Sequence, residues 1–82
     1  MNHYVYMLRS VKCGKVKTYV GYTINLKERL KKHNLGKGAK YTRGRQWKVI
    51  YKERYATKKE AMSREYYIKK NRKFRNLIKT EL

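Results

Sequence analysis

The residues of this chain that could do chemistry are two phenols, a guanidinium, an imidazole and a carboxylate: Tyr6, Tyr19, Arg29, His33 and Glu65. Arg29 and His33 lie four apart, so on a helix they leave from one face. In a chain so rich in Lys and Arg, the same pair also describes a solvated basic face. The preceding strand adds to it. Tyr19 and Gly21 point the same way from Tyr19-Val20-Gly21, and a glycine there would let a phosphate backbone come close. A tyrosine, with a reference pKa near 10, works as a base only where positive charge favours its phenolate. This chain supplies positive charge liberally. Together these groups suit holding and cutting a phosphodiester.

Glu65 stands out among the acids. On a helix starting near Thr57, Ala61, Glu65 and Ile68 share one stripe, flanked by Met62 and Tyr66. A carboxylate on an apolar stripe needs a partner. One reading is a buried salt bridge to an arginine. The other is a ligand for a single Mg²⁺ or Mn²⁺, since magnesium often takes only one or two carboxylates and lets waters and substrate phosphate complete its shell. Glu28 and Glu60 fit helix-capping roles, and Glu53 and Glu81 read as ordinary surface acids. There is no Asp.

The composition sets the partner class. The chain carries 24 Lys and Arg against 5 Glu, a net charge of +19 in 82 residues. Such a charge attracts polyanions. Nucleic acid leads, with DNA ahead of RNA, because phosphates release counterions when Lys and Arg neutralise them. The basic residues are spread along the chain rather than gathered on one amphipathic helix, which argues against a membrane surface. The length fits one domain, 1–82, acting as a monomer. A lone Cys13 fits a reducing cytoplasm and excludes an intrachain disulfide. With only His3 and His33 beside it as soft ligands, no structural zinc site is expected. The start shows no apolar run of a signal peptide, and no segment reaches the length of a membrane span.

These groups need elements to hold them. Alternation predicts a strand over 3–9, with Tyr4, Tyr6 and Leu8 on one face and His3, Val5 and Met7 on the other. A hairpin turn over Ser10–Lys17 contains Cys13-Gly14, and Thr18–Tyr22 forms the second strand. Asn25 with Glu28 predicts a helix start, Leu26 and Leu30 its apolar seam, and Asn34-Leu35-Gly36 its end after His33. Residues 36–46 form a basic, glycine-rich loop. In it Lys37, Lys40, Arg43 and Arg45 would meet phosphates and Tyr41 would stack on a base; a flexible solvated loop is the alternative. Trp47–Arg54 reads as a third strand, with Trp47, Val49 and Tyr51 on one face. Thr57 and Glu60 start a helix to about Lys70. A last helix over Arg72–Lys79 carries Phe74, Leu77 and Ile78. The pattern predicts an α+β fold, a three-stranded antiparallel sheet flanked by helices in the order β-β-α-β-α-α.

The ordered set Tyr4-Val5-Tyr6, Tyr19-Val20-Gly21-Tyr22-Thr23, Asn25-Leu26-Lys27-Glu28-Arg29-Leu30, His33-Asn34 and Glu65 resembles the GIY-YIG nuclease domain, above all its small stand-alone bacterial members. Gly38-Ala39-Lys40-Tyr41-Thr42-Arg43 followed by Trp47 fits that branch too. The first motif departs from the pattern, with Tyr4 for its leading glycine and Val5 for isoleucine; Val20 replaces isoleucine in the second. The resemblance implies single-metal phosphodiester hydrolysis. Glu65 would hold the metal, and Tyr6 or Tyr19 would act as general base. Arg29 would stabilise charge on the phosphate, and His33 would take the tyrosine's proton or orient its phenol. Some such domains carry an asparagine on the helix well after the metal Glu, and Asn71 and Asn76 are both near.

The expected function is a metal-dependent endonuclease acting on DNA in repair or genome maintenance, with target choice supplied by a protein partner. The rival is a nucleic-acid-binding module that keeps the fold and does not cut alone. An RNA-binding sheet would need a glycine-aromatic strand that this sequence lacks.

Overall fold

The computed structural model describes residues 1–80; Glu81 lies outside the described residues. The elements are β1 (His3–Lys12), β2 (Lys15–Thr23), α1 (Leu26–Asn34), a short 3₁₀ turn (Lys40–Thr42), β3 (Lys48–Tyr55), α2 (Lys58–Lys70) and α3 (Arg72–Thr80). The sheet is antiparallel in the order β2-β1-β3, as the α+β reading expects. No helix among the described residues is long and apolar enough to cross a membrane.

The β1–β2 hairpin is tighter than expected. The strands stay paired to Lys12 and Lys15, which leaves Cys13-Gly14 as a two-residue loop. Both loop residues have positive φ, 53° and 74°, the backbone a type I′ hairpin turn demands.

β1 is the central strand and is covered on both faces. Val5 and Met7 join Val20, Ala61 and Ile68 on one side, where Phe74 and Ile78 pack against them. Tyr6 and Leu8 join Trp47 on the other, with Tyr19, Leu26, Leu30 and Val49. The alternation along β1 therefore sorts its side chains between a face covered by α2 and α3 and a face covered by α1. Leu77 is 60% exposed.

Strand β3 corrects the expected face of Tyr51. Leu8 pairs with Val49 and Met7 with Tyr51, so Ile50 is an extra residue in a β-bulge. A bulge reverses the alternation beyond it. Tyr51 consequently packs with Val5 and Met7, away from Trp47 and Val49.

The helix ends follow local rules. The Asn25 side chain accepts from the Glu28 N–H at 3.1 Å, and Thr57 accepts from the Glu60 N–H at 3.2 Å. At the end of α1, Gly36 at φ 77° turns the chain. The Gly36 N–H donates to His33 O and the Lys37 N–H to Lys32 O, a Schellman closure. Asn71 caps α3 by accepting from the Phe74 N–H at 2.9 Å, and its amide donates to the Tyr67 hydroxyl. Asn71 is thus a capping residue.

Glu53 is not a surface acid. Arg64 donates to both its oxygens, at 2.8 and 3.0 Å, and the Tyr51 and Tyr55 hydroxyls donate to it as well. Burial pushes the Glu53 carboxyl up, but the Arg64, Tyr51 and Tyr55 hydrogen bonds outweigh it and hold the group below its ordinary range. Arg64 also lies over the Tyr67 and Phe74 rings, at 4.8 and 5.0 Å. The cluster joins β3 to α2 and α3. Replacing Glu53 with Gln leaves a half-buried guanidinium without its counter-charge. It should destabilise the fold by about 2 kcal/mol in urea denaturation. An unchanged midpoint would mean that the cluster adds nothing to stability.

Candidate functional site

The site is built around His33, which is fully buried at the end of α1. A buried imidazole must satisfy both nitrogens. Nε2 lies 2.9 Å from the Tyr6 hydroxyl and Nδ1 lies 2.8 Å from Thr42 Oγ1. The Thr42 hydroxyl donates its one proton to Ala39 O at 2.8 Å, so it must accept from the imidazole. His33 therefore carries its proton on Nδ1, and Nε2 accepts from Tyr6. The result is a directed chain, Tyr6 O–H to His33, His33 N–H to Thr42, Thr42 O–H to Ala39.

Two glycines make room for this chain. A Cβ on Gly38 would fall 2.4 Å from His33 Nδ1, and one on Gly21 would fall 2.4 Å from the Tyr6 oxygen. Gly21, paired with Tyr6 across the strands, thus admits the phenol of β1. This corrects the expectation that it opens space for a phosphate.

Tyr19, on β2, stands beside the buried pair. Its ring centroid is 5.0 Å from His33 and 6.4 Å from Tyr6, and the Tyr41 ring stacks near it at 6.2 Å. Arg29, one turn before His33, reaches both phenols. Their oxygens, Tyr6 first, hold its guanidinium charged beyond its ordinary value, against the effect of burial. Arg29 Nε is buried without a hydrogen-bond partner.

The electrostatics fix the resting protonation. Burial pushes Tyr6 up to about 12, opposed by Arg29 and reinforced by Tyr19 and Glu65. Tyr6 is then a neutral donor at pH 7. Burial and the Arg29 charge push His33 down from its ordinary 6.5, so it is a neutral acceptor.

Glu65 is close enough to raise the Tyr6 pKa. Its carboxylate is largely covered, at 14% exposure, and Lys69 Nζ lies 3.4 Å away, one turn on. The partner is a lysine of the same helix rather than the arginine expected for a buried salt bridge. The structure therefore brings Tyr6, Tyr19, Arg29 and His33 together, with Glu65 within electrostatic range of Tyr6.

Residues 36–46 are better tied down than a solvated loop. Trp47 Nε1 donates to Thr42 O at 2.9 Å, and Asn34 brackets the Trp47 backbone by accepting from its N–H at 2.7 Å and donating to its C=O at 3.3 Å. Arg45 donates to Ser10 Oγ and Lys15 O, and Lys12 to Gly44 O, so the hairpin grips the loop. Arg45 is thereby a structural clasp as well as a basic residue. Lys37, Lys40, Tyr41 and Arg43 are exposed. In the sequence Thr42 and Gly38 stand out only as members of the Gly38–Arg43 stretch, with no role of their own. The spacing His33 to Thr42 has no helical or strand period, and only the crowding of Gly-Lys-Gly after a buried histidine hints at it.

Two outcomes follow. Gly38→Ala should displace the imidazole and cost about 1–3 kcal/mol, read by thermal denaturation and by the loss of a shielded histidine signal in NMR. An unshifted histidine would overturn the packing argument. Stability should also fall at both ends of the pH range. Below 6.5 the unfolded chain binds a proton on the histidine that the folded chain resists, so stability drops as pH falls. Above 10 the unfolded chain releases the Tyr6 proton that the folded chain keeps to about 12, so stability drops as pH rises, by roughly 2–3 kcal/mol for this group. Tyr6→Phe should lack that share of the alkaline loss in urea denaturation.

The GIY-YIG catalytic domain family matches residues 2–79. A UPF0213 protein of Oceanobacillus iheyensis is 50% identical over 76 residues, which is 92% of this chain and 85% of that protein. One from Clostridium perfringens is 55% identical over 69 residues, 83% of this chain and 71% of the relative. The solution NMR structure of a UPF0213 protein from Bacillus halodurans is 44% identical, covers 93% of this chain and 79% of its own, and superposes with a TM-score of 0.50. The histidine-centred site thus sits in a sheet-and-helix frame shared with these small proteins, and the chain belongs to the GIY-YIG catalytic domain family, a family of nuclease domains.

Proposed function

We propose that this protein is a divalent-metal-dependent endonuclease that hydrolyses phosphodiester bonds in DNA, in repair or genome maintenance. The observation that carries the reading is the proton chain from Tyr6 through His33 to Thr42, set beside Arg29 and Tyr19. A merely structural histidine does not need a guanidinium placed against two phenols at its side.

Each residue has a role that its surroundings support. The attacking water gives its proton to the Tyr6 oxygen as Tyr6 passes its own to neutral His33 Nε2, which already accepts from it. Thr42 holds the imidazole in the tautomer that leaves Nε2 free to accept. Arg29 meets the charge that develops on the phosphate, and Tyr19, half-exposed on β2, orients it. Lys37, Lys40, Tyr41 and Arg43 extend the contact to flanking nucleotides.

The donor set suits a hard ion. No group of three or more His, Cys, Asp or Glu that could hold a metal occurs among the described residues, so a protein-caged ion such as structural zinc does not fit. The single covered carboxylate of Glu65 fits Mg²⁺ or Mn²⁺, which keep waters and accept substrate oxygens. Such an ion, held by Glu65, supplies charge stabilisation at the phosphate.

One observation favours the rival binding module: Lys69 already occupies Glu65. A cleavage assay separates the two. Single-stranded, duplex, flap and four-way-junction DNA are incubated with the protein and Mg²⁺ or Mn²⁺. Cutting should require metal and vanish in Glu65→Gln, while DNA binding survives. Arg29→Ala should lower the rate about 10²–10³-fold. The rate should rise with pH with a midpoint below 6.5, as His33 becomes neutral, and Tyr6 should introduce no fall before about pH 10. Binding without metal-dependent cutting would establish the binding module instead.

A further inference from the structure

A second cleft adjoins the site on the α2–α3 side of Tyr19. It encloses about 270 Å³ and is lined by Thr18, Tyr19, Val20, Tyr41, Lys69 and Arg75. No carboxylate of the described residues lines it. The Nε of Arg75 is buried and has no hydrogen-bond partner. A buried guanidinium nitrogen left unbonded is costly, and an anionic oxygen such as a phosphate's would satisfy it. Lys69 is 48% exposed, and at 3.4 Å its contact with Glu65 is longer than a close charge-assisted hydrogen bond. Lys17 adds a third cation, 5.2 Å from the centroid of the Tyr41 ring.

The cleft joins the site in two places. Tyr19 faces Arg29 on one side and lines the cleft with Arg75 on the other. Lys69 lines the cleft and pairs with Glu65. Among the described residues, buried side-chain nitrogens without partners occur at Arg9, Arg29 and Arg75, and two of these three flank Tyr19. The third, Arg9, lies in a groove with Gln46, Trp47 and Lys48.

We propose that this cleft is a second phosphate subsite, in which Arg75 and Lys69 hold the phosphodiester next to the one being cut. The proposal rests on the endonuclease reading, and it sets the path of the bound strand along the free edge of β2. The strand runs from Arg29, past Tyr19, to Arg75. Tyr41 forms the apolar wall for the intervening sugar or base.

The test is equilibrium binding of a fluorescently labelled duplex DNA in EDTA, across a KCl series. Wild type, Arg75→Gln, Lys69→Gln and the control Lys59→Gln are compared. Lys59 is exposed in the first turn of α2 and lines a different cleft. Each subsite variant should lower the slope of log K against log salt by about 0.9, one phosphate contact, and the control by less than half of that. Lys69 is half-exposed, so Lys69→Gln reports on the subsite even if Arg75→Gln does not fold. If the subsite variants keep slopes equal to the control while wild type binds and, with metal, cuts, the cleft proposal fails and the endonuclease stands. If wild type neither binds nor cuts DNA, both fail.

Discussion

Burying one histidine without exposing either nitrogen is the constraint on which the rest of this structure depends. A neutral imidazole at zero exposure needs an acceptor for its N–H and a donor for its lone pair. Tyr6 reaches it from the central strand and Thr42 from the loop, over 27 and nine residues of sequence. Thr42 can accept only because its own proton goes to Ala39. That bond bends the loop into a 3₁₀ turn and aims the Thr42 carbonyl at the Trp47 indole. Gly38 passes over the ring because nothing larger fits. The loop's order is therefore a consequence of the histidine's burial. The same bonds tie α1, β1 and the start of β3 into one unit.

Much of this was legible in the chain, for reasons that differ by residue. Asn25, Thr57 and Gly36 act through neighbours within five residues, so local rules suffice. The alternation Tyr4 to Leu8 assigned both faces of β1, because a strand covered on both sides still alternates. Arg29 and His33 share a helix face by spacing alone. What failed depended on contacts that have no period. Thr42 and Gly38 serve His33 from an irregular loop. Gly21 was read as open ground for a phosphate, whereas the space belongs to the Tyr6 ring, a cross-strand fact.

The misreadings of β3 have a single origin. A bulge at Ile50 is invisible to an alternation rule, and it moves Tyr51 to the opposite face from Val49. With Tyr51 there, Tyr51, Glu53 and Tyr55 all turn toward Arg64. Glu53 is then a charge enclosed by two phenols and a guanidinium, although its neighbours Lys52 and Arg54 are exposed. The pattern Tyr-x-Glu-x-Tyr was present to be read, but its face could not be assigned without the bulge.

The scarcity of acids explains how the site keeps its charge. Among the described residues, Glu28 and Glu60 lie at helix starts, Glu53 is held by Arg64 and Glu65 by Lys69. No carboxylate is left to orient Arg29, and the Tyr6 and Tyr19 phenols do so instead. The substitution has a physical consequence. A carboxylate would neutralise the guanidinium, and an incoming phosphate would have to displace it. A neutral phenol, kept protonated by burial, offers an acceptor without cancelling the charge. Arg29 is thereby positioned and still carries its full positive charge at the edge of a sheet whose domain has a net charge of +19. In such a field the approach of a phosphate is favoured over that of any neutral ligand, and the two phenols hold the guanidinium in place without cancelling its charge.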